Sequence, residues 1–254
     1  MRPISLVTAA AAAVLLTAGC GDDSTAGSGS PAGTSAAASS AASPSSSGNG
    51  VADLSANEIL AKATAALKAA KSVRIKGQVS EGSESVELDL AYSGDDSAGT
   101  IALSGQRIEL RRIGKTAYIR GSRGFWTANG GEAYAQLLTG KWLKAPVTDR
   151  RYGPIAELTD LDKAAGGILK PDGEITKADR KTVAGVEAIG LVQKGTGGGT
   201  LYVATTGEPY PLQLVSGPQV KGKGTIQFVD YGKAVTVPEP PADTVIDVTK
   251  LPGS

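Results

Sequence analysis

A single thiol and a complete lack of imidazole limit the chemistry open to this chain. Its 254 residues include no histidine and one cysteine, Cys20. Without histidine there is no Ser-His-Asp or Cys-His activation of a nucleophile, and nearly every transition-metal site goes with it. Gly114-Lys115-Thr116 ends like a phosphate-binding loop, but Glu109 stands where that motif needs its first glycine, so the segment reads as a hairpin turn. No Gly-x-Ser-x-Gly elbow and no Ser-x-x-Lys pair occurs. Three carboxylate pairs, Asp95 with Asp96, Asp160 with Asp162 and Asp172 with Glu174, have the composition for acid/base work or calcium binding. Surface turns explain them more simply. No catalytic residue, no metal ligand and no cofactor is assigned, and an enzyme is not expected.

The chemistry that remains is that of Cys20 and its surroundings. Arg2 gives a short positive start, Ile4 to Thr17 give an apolar stretch, and Ala18-Gly19 give the small residues that a signal peptidase needs. The stretch is too short to span a bilayer, which takes roughly 20 apolar residues. Leu16-Thr17-Ala18-Gly19-Cys20 resembles the bacterial lipobox, whose cysteine sulfur is joined to a diacylglyceryl group before cleavage. The aliphatic residue lies one position early, with Thr17 in its usual place. A plain secretory signal with an incidental cysteine is the other reading. Two or more palmitate-type acyl chains on Cys20, at about 0.8 kcal/mol per buried methylene, would tether the mature chain stably to the outer face of the cytoplasmic membrane.

Residues 1–19 are thus expected to be a signal peptide, 20–50 a lipidated N-terminus with a stalk, and 51–254 one folded domain. Gly21 to Gly50 is almost wholly Ser, Ala, Gly, Pro and Thr, with Asp22 and Asp23 its only charges. Such a segment buries too little surface to offset its ordering entropy. As a coil it reaches roughly 30 Å on average. With Cys20 in the anchor no disulfide is available, so the domain must rest on a packed core. Acids and bases nearly balance, with a formal net charge of +1, which argues against nucleic acid as a partner.

The folded part opens on Ser55 and Glu58 spaced as a capping box, with Leu54 placed to staple onto the first turn. Ile59, Leu60, Ala63, Leu67 and Ala70 repeat at helical spacing, predicting a helix over 56–70 whose apolar stripe needs a surface to cover. From Val73 the period changes to two: Val73, Ile75 and Val79, then Val86, Leu88 and Leu90, alternate with polar residues. A two-residue turn at Gly105-Gln106 would pair Leu103 with Ile108 and Ile101 with Leu110. A second at Gly114-Lys115 would pair Leu110 with Ile119. Together they set Ile101, Leu103, Ile108, Leu110 and Ile119 on one face.

Between Gly121 and Lys170 the texture differs. Phe125-Trp126, Tyr134 and Trp142 include both tryptophans, and short helices are expected over 132–138 and 155–169, broken by Gly140, Pro146, Pro154 and Gly166-Gly167. Strands resume at Lys177, with turns at 184–185, 195–199, 206–209 and 217–222. Read as hairpins, they pair Val192 with Leu201, Val203 with Leu212, Leu201 with Leu214, Leu214 with Ile226 and Leu212 with Phe228, again on one apolar face. Pro238, Pro240 and Pro241 close the region before a last extended piece at 245–248. The architecture inferred is α+β, a curved antiparallel sheet of about ten strands with helices on its inner side.

Several stretches taken in order then carry a resemblance: Gly121-Ser122-Arg123-Gly124-Phe125-Trp126, Gly140-Lys141-Trp142-Leu143, Val183-Ala184-Gly185-Val186, and the run from Leu201-Tyr202-Val203-Ala204-Thr205-Thr206 to Gly207-Glu208-Pro209-Tyr210-Pro211-Leu212. With the lipobox, stalk and capped helix they resemble actinobacterial lipoproteins of the LppX/LprG type, over residues 51–250. Their fold is similar to that of the periplasmic lipoprotein carrier LolA. The resemblance implies an unclosed half-barrel whose concave apolar face, covered by helices, leaves a cavity for acyl chains. The candidate cavity face is then Ile101, Leu103, Ile108, Leu110, Ile119, Val192, Leu201, Val203, Leu212, Leu214, Ile226 and Phe228. An aliphatic inner face is equally what a filled core looks like, and Phe125, Trp126 and Trp142 read as core anchors before ligand contacts. The expected partner is a lipid or other amphiphile, carried or sensed. The alternative on the same fold is a regulatory lipoprotein that binds a membrane protein without lipid cargo.

Overall fold

The computed structural model describes residues 48–171, 173–194, 198–217 and 222–250. The expected signal segment, Cys20 and nearly all of the expected stalk lie outside the described residues, as do parts of the turns expected at 195–199 and 217–222.

The first helix, α1 (Ala56–Ala69), starts as its sequence dictates. Ser55 Oγ accepts from the Glu58 N–H while the Glu58 carboxylate accepts from the Ser55 N–H at 2.9 Å, so the capping box is complete. Its stripe of Ile59, Ala63 and Leu67 is wholly buried.

Five strands follow: β1 (Ser72–Glu81), β2 (Glu84–Ser93), β3 (Asp96–Leu103), β4 (Gln106–Ile113) and β5 (Thr116–Gly121). Next come α2 (Arg123–Leu138), β6 (Trp142–Pro146), α3 (Gly153–Glu157) and α4 (Leu161–Ile168). A second run holds β7 (Ile175–Val183), β8 (Val186–Gln193), β9 (Gly199–Ala204), β10 (Pro211–Ser216) and β11 (Lys223–Val229), and β12 (Val245–Asp247) closes the chain. All twelve strands form one sheet in the order β12-β6-β5-β4-β3-β2-β1-β11-β10-β9-β8-β7. Every neighbouring pair is antiparallel except β12 with β6, which is parallel. β7 and β12 are left as edges, so the sheet is unclosed. The fold is α+β, as expected.

Twelve strands spaced about 4.8 Å apart would span roughly 50 Å if flat. Yet one hydrophobic core joins Ile119 of β5 and Leu143 of β6 to Ile189 and Leu191 of β8, together with α1 and α4. A sheet of this width shares one core between its wings only by wrapping around the helices. Its inward-facing glycines fit that bend. A Cβ on Gly99 would lie 2.0 Å from the Asp89 carbonyl oxygen, and one on Gly77 would lie 2.1 Å from that of Thr225. Backbone cannot swing aside like a side-chain tip, so Gly99→Ala is expected to cost about 3 kcal/mol, the upper part of the range for overpacking. The check is a lower urea midpoint at unchanged slope.

Several expectations on register need correction. The β3–β4 turn is Ser104-Gly105, with φ of 47° and 82°, so Ile101 pairs with Ile108 and Leu103 with Gln106. The slip from the expected register is two residues, and the faces survive it. Leu110 does pair with Ile119, and the Ala184-Gly185 turn is in place. Between β8 and β9 the slip is one residue: Leu191 pairs with Leu201 and Val192 with Thr200, which turns Val192 to the outer face. The run Ile189-Gly190-Leu191-Val192 offers two frames, and the one that buries Ile189 and Leu191 wins. Val203 pairs with Pro211, because a bulge between Pro211 and Gln213 leaves Leu212 as the extra residue. Leu201 with Leu214 and Leu214 with Ile226 stand as expected. The β10–β11 ladder starts at Gln213, so Leu212 and Phe228 are not a bonded pair within it.

The helical region is also more regular than expected. The segment 132–138 is the second half of α2, which kinks at Gly131, where φ is 76°. Trp142–Pro146 is a strand, Pro154 opens α3, and Gly166-Gly167 sit inside α4.

Candidate lipid-binding cleft

The cleft lies where α3 and α4 cross the inner face of β1–β3, and three long-range contacts fix that crossing. The Tyr92 hydroxyl of β2 donates to the Leu158 carbonyl at 2.7 Å. Ser97 Oγ of β3 donates to the Thr159 carbonyl at 2.8 Å, with both residues buried. Arg112 of β4 donates to the Asp160 carboxylate at 2.7 Å. Three consecutive residues are thus held by three consecutive strands. Asp160 also accepts from the Lys163 N–H at 3.1 Å, so the residue pinned to the sheet is the N-cap of α4.

Beneath α4 is a cleft of about 360 Å³. Its floor is Ile75 of β1, Val86, Leu88, Leu90 and Tyr92 of β2, and Ile101 and Leu103 of β3. Its roof is Leu158, Ala164, Gly167 and Ile168, with Glu157 and Lys163 beside them. Val86, Leu103 and Leu158 are large apolar residues with exposures of 41%, 42% and 39%. They give the cleft an apolar lip. The polar atoms of the lining are already engaged: Tyr92 on Leu158, and Lys163 with Glu157 at 3.2 Å. Burial, with a smaller contribution from Asp160, pushes the Tyr92 hydroxyl up and keeps it a neutral donor.

Burial works against ionisation of Asp160, but the Arg112 guanidinium and the Lys163 N–H outweigh it and hold the carboxyl below its ordinary value. A depressed carboxylate stabilises the fold above its unfolded pKa, about 3.9 for aspartate, and that contribution is lost as pH falls through the folded value. The natural chain is therefore expected to exceed Asp160→Asn by about 1 kcal/mol at pH 7, a modest figure because solvent still reaches the pair. The margin should shrink to nothing as pH drops from 4 toward 2. Urea midpoints of the two chains across that range check it.

The candidate residues divide into several groups. Ile101 and Leu103 line the cleft. Leu201 and Leu214 border a separate void of about 30 Å³, where they meet Leu60 and Ile168. Leu214 and Ile226 line a groove of about 200 Å³. Ile108, Leu110, Ile119, Val203 and Phe228 are packed core. Val192 and Leu212 belong to none of these. The alternation of β2 marked Val86, Leu88 and Leu90 as one face, but nothing local marked them, or Ile75 and Tyr92, as bordering a space.

The aromatics take structural positions. Phe125 and Trp126 meet edge to face with centroids 4.9 Å apart, both buried. Trp142 is buried on the outer face between Arg111 and Arg120, whose guanidiniums lie 4.5 and 4.7 Å from its ring. Asp96 accepts from the Gly114 N–H at the β4–β5 turn, and Asp95 lies 3.8 Å from Arg112. Asp172 lies outside the described residues. Among the described residues no three acidic, cysteine or histidine side chains converge as metal ligands, and no helix is long and apolar enough to cross a membrane.

No family model matches the chain, and no curated protein matches it. Among solved structures it is similar to LprF from Mycobacterium bovis, with 18% identity, 73% of this chain and 96% of that one covered, and a TM-score of 0.47. It is also similar to the lipoprotein LppX of Mycobacterium tuberculosis, with 11% identity, 72% and 99% covered, and a TM-score of 0.45. A conserved protein from Thermus thermophilus gives 12% identity, 76% and 98% covered, and a TM-score of 0.39. The likeness is one of fold.

Proposed function

We propose that the chain is an exported lipoprotein, anchored through acyl chains on Cys20 to the outer face of the cytoplasmic membrane. It encloses a lipid or other amphiphile in the cleft beneath α4, as a carrier or sensor, and performs no covalent chemistry. The observation that carries this reading is the cleft, an apolar space of about 360 Å³ whose polar atoms are already paired and whose lip is apolar. Binding by burial needs no reactive residue. At about 25 cal/mol per Å² of apolar surface, one acyl chain gains several kcal/mol.

The test is native mass spectrometry, with solvent extraction, of residues 45–254 made without the anchor in an actinobacterial host. A co-purifying lipid of defined mass is the expected result. A bare protein mass and no uptake of a fluorescent fatty acid, together with recovery of a stoichiometric membrane-protein partner, would transfer the proposal to a regulatory lipoprotein. The anchor has its own check: Cys20→Ser should move the chain from the membrane fraction to the soluble fraction if its signal is still cleaved, and leave it free of incorporated palmitate in any case.

A further inference from the structure

Two of the spaces under the sheet share a single lining residue. Ile168, the last residue of α4, lines the main cleft on one side and the void of about 30 Å³ on the other. That small void is bordered by Leu201 and Leu214, and Leu214 continues into the groove of about 200 Å³ beside β10 and β11. We infer that Ile168 is the partition that limits the cleft to amphiphiles with one acyl chain, and that removing it joins the spaces and admits two-chain lipids. This rests on the lipid-binding reading above.

The volumes support the limit. About 360 Å³ is at the low end of the roughly 300–1,000 Å³ found for pockets that enclose one small ligand. The neighbouring void is about the size of a single water, so a second chain finds no room there while Ile168 stands. The mounting of α4 also fits a partition. Its N-terminus is pinned to the sheet through Asp160 and Arg112, whereas just before Ile168 both Gly166 and Gly167 have open space where a Cβ would be. The fixed end sets the height of the roof. The last turn, anchored by buried Ala165 and Leu169, carries the side chain that closes the way onward. The charged residues of the lining, Glu157 and Lys163, pair with each other at 3.2 Å, so selection rests on the number and volume of chains.

The test is photocrosslinking of the full chain in phosphatidylcholine vesicles, with two probes that carry the same diazirine: palmitic acid labelled on its chain, and a phosphatidylcholine bearing that labelled chain beside an ordinary one. Crosslinks are mapped by mass spectrometry. In the natural chain the fatty acid should label residues 86–103 and 164–168, and the phosphatidylcholine should do so about tenfold less. In Ile168→Ala that difference should disappear, with new crosslinks near Leu201 and Leu214. Ile168→Val is the milder variant should Ile168→Ala lose its fold, and it should move labelling in the same direction. Equal labelling of the natural chain by both probes, or continued exclusion of phosphatidylcholine by a folded Ile168→Ala chain, overturns the partition and leaves lipid binding standing. If neither probe labels the cleft in any variant, lipid binding itself fails and the partition with it.

Discussion

A chain carrying Leu88→Asp is expected to bind a fluorescent fatty acid about 100-fold more weakly than the natural chain, with its thermal transition nearly unchanged. Leu88 stands in the middle of β2, half-buried, on the floor of the cleft. A carboxylate there either keeps its water, which occupies the volume the acyl chain needs, or gives it up at a cost of several kcal/mol. Some 3 kcal/mol lost from binding is about the 100-fold named. The fold is spared because Leu88 borders empty space, where a charge can still reach solvent through the lip. Glu87→Gln is the matched control. Glu87 pairs with Gln78 and Ala102 on the opposite face, so uptake should not change. Full uptake by Leu88→Asp would place the acyl chain somewhere other than this cleft.

The opposite pattern is expected at Phe228. It is 2% exposed, pairs with Ile75 across β11 and β1, and lies in the core without bordering the cleft. Truncating a buried phenylalanine removes its transfer free energy and leaves a cavity, so Phe228→Ala should lower stability by about 3–5 kcal/mol in urea unfolding. The fraction that remains folded should bind the fatty acid within about twofold of the natural chain. A stable Phe228→Ala protein that had lost uptake would return this residue to the lining, where a reading by face alone had put it.

The two residues show what alternation along a strand does and does not carry. Period two assigned Leu88, Ile101, Leu201 and Phe228 correctly to the inner face, because a pleated strand alternates sides whatever lies across from it. It even survived a wrong turn. Placing the β3–β4 turn at Gly105-Gln106 instead of Ser104-Gly105 moved the register by two and left every face intact. Where the slip was one residue the face itself was lost. Val192 lies on the outer face because apolar residues fill both faces of β8 and the pairing with β9 buries Ile189 and Leu191 instead. Leu212 was lost to a bulge, which adds a residue that no alternation predicts. The strand Trp142–Pro146 stayed hidden for a related reason. It is short, and its outer position carries a tryptophan that Arg111 and Arg120 cover from the other strands, so nothing local sets it apart as half of a sheet.

By itself the sequence determined the start of α1, through the Ser55 and Glu58 cap, and the sidedness of most strands. It also excluded histidine and disulfide chemistry. These properties are local or compositional, set by hydrogen-bond reach over a few residues, by the pleat, and by which functional groups exist. Only the tertiary structure decided which inward-facing residues border space and which are packed. That depends on where α3 and α4 come to rest, and their position is set by Tyr92, Ser97 and Arg112 reaching partners 66, 62 and 48 residues away. A cleft is volume left between elements after they pack, and no single segment encodes the distance to its neighbour.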